Sequence, residues 1–110
     1  MSYQIKRTPM FARQSGRLER KYASWPDDLT ALLTELTENP VSGVSLGRGC
    51  YKVRVAIASK NRGKSGGARV ITLVQIVGKT VLLLGVYDKS DRENLAPGEL
   101  EMLLAAAGVR

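Results

Sequence analysis

Two apolar runs separated by two residues constrain this chain more than anything else in it: ARVITLVQIV at 68–77 and TVLLLGVY at 80–87, with Gly78-Lys79 between them. Both have the length of strands, and neither approaches the roughly 18 apolar residues that mark a membrane span. A two-residue Gly-X connection fits a type II′ turn, so the spacing predicts an antiparallel hairpin. Upstream, CYKVRVAIAS at 50–59 alternates, with Tyr51, Val53, Val55 and Ile57 on one face and Lys52 and Arg54 on the other. That pattern predicts a half-buried strand with cations on its open face. Residues 2–7 (SYQIKR) read as a short leading strand.

The remaining segments have helical spacing. Thr8-Pro9 has the form of an N-cap followed by proline at the first helical position, and Phe11, Ser15, Leu18 and Tyr22 then recur on one face. Ser24-Trp25-Pro26-Asp27-Asp28 opens a second helix with acids in its first turn; Leu29, Leu32, Leu33 and Leu36 form its stripe, and Asn39-Pro40 stops it. The stretch 41–49 is small and turn-rich. Pro97 opens a last helix with Leu100, Leu103, Leu104 and Ala107 as its stripe and Gly108 at its end. The order is strand, helical hairpin, three strands, helix. Separate runs of helix and strand predict an α+β fold with an antiparallel sheet. The 110 residues form one domain, 1–110, large enough to bury a real core.

The charge is not spread evenly. Residues 48–71 carry seven cations (Arg48, Lys52, Arg54, Lys60, Arg62, Lys64 and Arg69) and no acid, which accounts for the whole formal charge of +7. A basic face confined to one segment is the electrostatic footprint of a polyanion partner, usually nucleic acid. The N-terminus lacks the apolar segment of a signal peptide, and a lone cysteine, Cys50, forms no intrachain disulfide. A cytoplasmic protein with no membrane partner is expected.

Within the basic segment, SKNRGKSGGAR at 59–69 contains the GKS of a nucleotide-binding P-loop. That motif needs a glycine at position 58 and a helix after the serine; here position 58 is Ala58, and ARVITLV is a strand pattern. The glycines and cations can still meet phosphate oxygens of an extended nucleic acid. The chain has no histidine, so the commonest general base is missing, and no metal site or other cofactor is expected. Cys50 has no activating partner in the sequence and reads as a packing residue. The acids Asp27, Asp28, Glu35, Glu38, Asp88, Asp91 and Glu93 read as caps and solvated faces. Cations and tyrosines suit cleavage of RNA by its own 2′-hydroxyl, where the protein orients the backbone and neutralises growing charge. A simple RNA-binding domain would carry the same composition.

CYKVRVAIASKNRGKSGGARVI, followed by VLLLGVYDKSDRENLAPGEL, resembles the RelE/ParE superfamily of type II toxins, in its HigB-like and RelE-like branch. The branch is marked by a G-K-S-G-G-x-R strand-loop-strand and a Y-x-K-S-[DE]-x-E-x-[LI] segment. The resemblance extends over nearly the whole chain and implies a RelE-like twisted antiparallel sheet backed by helices. It implies a toxin held inactive by a cognate antitoxin and cutting mRNA on the ribosome by 2′-hydroxyl attack. By position, Lys52 and Arg54 match the basic pair on the strand after Cys-Tyr, Arg69 matches the arginine opening the next strand, and Lys89 stands where a further arginine of RelE would come. Those four are the expected catalytic residues. Arg48, Arg62, Lys64 and Tyr87 are the expected RNA contacts. The C-terminal segment Asp91-Arg92-Glu93-Asn94-Leu95 lacks the tyrosine of RelE, and Arg54 is a poor proton donor. Two other readings share the fold or the charge: a ParE-like toxin that inhibits DNA gyrase by binding, and a non-catalytic basic RNA-binding protein.

Overall fold

A computed structural model describes residues 2–61 and 63–109. The elements run β1 (Gln4–Arg7), α1 (Pro9–Lys21), α2 (Trp25–Glu38), β2 (Val44–Gly47), β3 (Cys50–Val55), β4 (Ala68–Gln75), β5 (Thr80–Asp88) and α3 (Glu99–Ala106), with short 3-10 turns at Ala58–Lys60 and Lys64–Gly66. The α+β class is as expected. The sheet is five-stranded, in the order β1-β5-β4-β3-β2. It differs from the expectation in two respects: β1 lies parallel to β5 while the other pairings are antiparallel, and β2 occupies part of the segment read as turn. Four residues with two glycines nearby give too little alternation to signal a strand. β2 forms because it pairs with Lys52, Tyr51 and Cys50 of β3.

β4 and β5 are buried on both faces, which explains their near-continuous apolar composition. On one face, Phe11, Leu18, Trp25, Leu29, Leu32 and Leu36 of the helical hairpin pack against valines and Leu83 of the sheet. On the other, Leu103 and Leu104 of α3 pack against Cys50, Ile71, Leu73, Leu84 and Tyr87. The hairpin is tied down by polar contacts as well. Thr8 caps α1 through the Phe11 amide, and its hydroxyl donates to the Leu83 carbonyl at 2.8 Å. The wholly buried Trp25 donates its indole N–H to Ser15 Oγ at 2.8 Å, so the serine in the helical stripe is a hydrogen-bond partner inside the core.

A bulge in β5 sets which side chains reach which face. Thr72 pairs with Leu83 and Ile71 with Gly85, so Leu84 and Gly85 together oppose Ile71. The extra residue reverses the side-chain alternation beyond it. Leu83 and Val86 therefore share the hairpin-side core, while Tyr87 turns to the α3 side. The interrupted ladder leaves the Val86 amide to another acceptor, and Gln14 Oε1 of α1 takes it at 2.8 Å.

Two local expectations change. Gln75 pairs with Thr80, so the hairpin is closed by four residues, 76–79, rather than two. Gly78 and Lys79 both take positive φ, and Ile76 and Val77 project into solvent. β3 also ends at Val55 instead of running to Ser59, because competing acceptors capture the following amides. The Asp28 carboxylate accepts from Ala58 N–H, and Ser24 Oγ accepts from Ser59 N–H. Lys60 then turns inward. Its ammonium contacts Asp88 Oδ1 (2.7 Å), the Gly66 carbonyl (2.7 Å) and Ser90 Oγ (2.8 Å). Tyr22 donates to the other Asp88 oxygen at 2.5 Å. Burial alone would raise the Asp88 pKa, but hydrogen bonds from Lys60, Tyr22 and the Ser90 amide, with the Lys60 charge, hold it far below the usual carboxylate range.

Gly85 is closely packed: an added Cβ would stand 3.0 Å from Gln14 Oε1 and 3.3 Å from both Leu103 methyl carbons, so those side chains would have to give way. Gly85→Val is expected to cost about 1–3 kcal/mol, read as a lower urea midpoint with an unchanged slope. A carboxylate with a depressed pKa contributes its full stabilisation above its unfolded value, about 3.9, and loses it as pH falls toward the folded value. Asp88→Asn leaves the Lys60 ammonium without its anion, so stability at neutral pH should drop by about 3 kcal/mol or more. Its urea midpoint should also decline less steeply than wild type below about pH 4. An acid limb of the same steepness in both proteins would count against this account.

Candidate functional site

β2 is shorter than β3, so the edge of β3 beyond Lys52 lies open, and a cleft of about 410 Å³ forms there. Its walls include Lys52, Arg54, Lys64 and Arg69 together with Glu35 of α2 and Glu93 of the loop after β5. Ser42 and Gly43 cross close to β3. A Cβ on Gly43 would meet the Lys52 carbonyl oxygen at 2.1 Å, and Gly43 holds φ of +85°, so only glycine fits this wall.

The cations reach the cleft by strand register. Lys52 and Arg54 are two residues apart on β3 and share a face. Arg54 stands opposite Arg69 on β4, and Arg69 opposite Tyr87 on β5. Two arginines facing one another repel, and the structure resolves this by turning Arg69 into the loop. Its Nη1 donates to the carbonyls of Lys64 and Ala68, at 3.0 and 3.1 Å, and its Nη2 to that of Ser65 at 3.0 Å. Its Nε has no hydrogen-bond partner among the described residues, and Glu93 Oε2 lies 3.6 Å away. Only 1% of Arg69 is exposed. It shapes the loop that carries Lys64 while keeping its charge beside the cleft. Arg54 and Lys64 are exposed and have no ion-pair partner among the described residues. The Lys52 ammonium donates to Asn94 Oδ1 at 2.7 Å.

The other expected residues lie outside this group or at its rim. Lys89 reaches the cleft only indirectly, through Glu93 Oε1 at 3.7 Å. Tyr87 is buried; its hydroxyl donates to the Glu93 carbonyl oxygen at 2.8 Å and its ring lies under the Arg92 guanidinium. Burial raises its pKa, only partly offset by Arg92 and Arg69, so the phenol keeps its proton at neutral pH. Arg48 sits in the turn between β2 and β3, 3.6 Å from Glu101 of α3, and does not line the cleft. Arg62 lies outside the described residues. Lys60 belongs to the Asp88 cluster. Cys50 is wholly buried, and burial raises its thiol pKa.

Glu35, Glu93 and Asn94 were not among the expected site residues. Glu93 and Asn94 lie in a loop without periodicity, fixed by the Tyr87 contact and by the ion pair between Arg92 and Glu99. The Y-x-K-S-D-x-E segment was their only sequence signal. As a whole, the cleft can bind a phosphodiester, screen negative charge on its oxygens and present two carboxylates and an ammonium to it.

The family model described as the RelE toxin of the RelE/RelB toxin-antitoxin system matches residues 8–109. No curated protein sequence matches. Among solved structures, a double arginine-to-alanine mutant of E. coli toxin RelE in the free state superposes with a TM-score of 0.57 at 17% identity, covering 98% of this chain and 96% of that one. The toxin in the RelBE2 toxin-antitoxin complex from Mycobacterium tuberculosis gives 0.56 at 22% identity, covering 80% of this chain and 99% of the other. These likenesses show a shared fold, and the family match over nearly the full length shows the lineage. The chain belongs to the RelE toxin family.

Proposed function

We propose that this toxin is a ribosome-dependent mRNA endonuclease, acting by attack of a ribose 2′-hydroxyl on the adjacent phosphate. The observation that carries the reading is the convergence of Lys52, Arg54, Lys64 and Arg69 on one cleft in a chain of this family. In this reaction the RNA supplies its own nucleophile. The protein's work is to align the backbone and stabilise charge on the nonbridging oxygens. Arg54 and Lys64, exposed and unpaired among the described residues, serve as the phosphate contacts. Arg69 positions the Lys64 loop, and its buried charge strengthens the field in the cleft. Lys52 is the acid that protonates the departing 5′-oxygen, with Asn94 orienting its ammonium. Tyr87 acts as a support for the Glu93 segment, and Lys89 holds the same segment from outside.

Ribosomal mRNA as substrate implies work in the cytoplasm. A cognate antitoxin is the expected protein partner, in keeping with the toxin-antitoxin complex of the mycobacterial relative. An acidic antitoxin segment would complement the basic cleft, and added salt should weaken both that contact and any RNA contact.

Induced expression in bacteria should arrest growth and translation, with new 5′ ends mapped inside translated mRNA. The double variant Lys52→Ala/Arg54→Ala, checked for folding by circular dichroism, should lower cleavage by roughly 10²-fold or more and relieve the arrest. Arrest that persists in the double variant, or arrest accompanied by a DNA-damage response without mRNA cuts, would favour a gyrase-directed binding toxin. RNA binding without arrest would favour a non-catalytic RNA-binding protein.

A further inference from the structure

We propose that the carboxylate of Glu93 is the general base that takes the 2′-hydroxyl proton, a role that rests on the nuclease reading above. The cleft offers few proton acceptors. The chain has no histidine. The Tyr87 hydroxyl is committed to the Glu93 carbonyl and keeps its proton. Lysine and arginine cations have no lone pair to give. Glu35 and Glu93 remain as the two cleft carboxylates.

Glu93 is the better placed of the two. Its oxygens lie 3.6 Å from Arg69 Nε and 3.7 Å from Lys89 Nζ, close enough to be aligned by both charges yet outside hydrogen-bonding distance. Both oxygens therefore keep lone pairs free for a substrate proton. About half of the side chain is exposed, so RNA can reach it. Its main chain is fixed by the bond from Tyr87, and the next residue, Asn94, holds the Lys52 ammonium. Consecutive residues of one loop thus set a base and an acid in the same cleft. Glu35, by contrast, is carried on α2 and has no ion pair among the described residues.

The step balances without any co-reactant. The 2′-hydroxyl proton passes to Glu93, and the freed electron pair bonds to the adjacent phosphorus. The bond from phosphorus to the 5′-oxygen breaks, its pair stays on that oxygen, and Lys52 gives it a proton. The products are a 2′,3′-cyclic phosphate and a 5′-hydroxyl end.

The test uses the full chain on ribosomes programmed with a defined mRNA, under single-turnover conditions. Glu93→Gln should cut roughly 10²- to 10⁴-fold more slowly than wild type. It should bind programmed ribosomes no more weakly, because it removes a negative charge from a phosphate-binding cleft. An mRNA with a bridging 5′-sulfur at the cleavage site separates the two roles, since sulfur departs without protonation. On that substrate Lys52→Ala should approach the wild-type rate, whereas Glu93→Gln should remain slow. If wild type cuts and Glu93→Gln cuts as fast or faster, or if the sulfur substrate rescues it, Glu93 is not the base while the nuclease reading stands. If wild type fails to cut on ribosomes, both fall.

Discussion

The buried carboxylate of Asp88 joins three parts of the molecule at one point. One oxygen holds Lys60, the other holds Tyr22, and the first also accepts the Ser90 amide. Through these contacts the end of β5, the loop after β3 and the end of α1 share one electrostatic centre. A charge in the interior is costly unless it is paired and hydrogen-bonded, and here each partner satisfies that condition for the other. The open loop between β3 and β4 thereby gains a fixed root, and the cleft gains a wall. Lys60 contributes to that wall by facing away from the cleft; a strongly basic segment contains a cation devoted to structure.

Arg69 makes a similar division of labour within one side chain. Its Nη groups hold the carbonyls of a glycine-rich loop, and its Nε faces Glu93. A lysine could supply the charge but not the fork that spans two carbonyls at once. The GKS sequence that resembles a nucleotide cradle is thus gripped by its backbone oxygens. A P-loop does the reverse, presenting amides to a phosphate.

Much of this fold was legible in the sequence because its signals are local. Thr8-Pro9, the leucine stripe of α2 and the apolar runs of β4 and β5 each act within a few residues, and each formed as expected. The concentration of charge in 48–71 likewise pointed to a basic face, and four of its cations, Lys52, Arg54, Lys64 and Arg69, lie together along one cleft. What could not be read depends on partners distant in the chain. β2 exists through β3, the reversal of faces in β5 depends on Gln14, and the burial of Lys60 needs Asp88. Glu93 was marked only by the Y-x-K-S-D-x-E segment, and its place in the cleft depends on Arg69, distant in the chain.

The pairing of β1 with β5 carries a consequence for biosynthesis. The first strand to leave the ribosome adds to the edge of the last, with Gln4 opposite Thr80 and Arg7 opposite Leu83, and Thr8 anchors to the same strand. Until β5 has emerged, α1 has no sheet to lie on, β4 has only one neighbour, and Lys60 has no carboxylate to enter against. The Glu93 wall of the cleft and the Asp88 root of its loop therefore await the same late segment, while β3, β4 and the grip of Arg69 on the loop can precede it. The assembled cleft is thus among the last features of this fold to form.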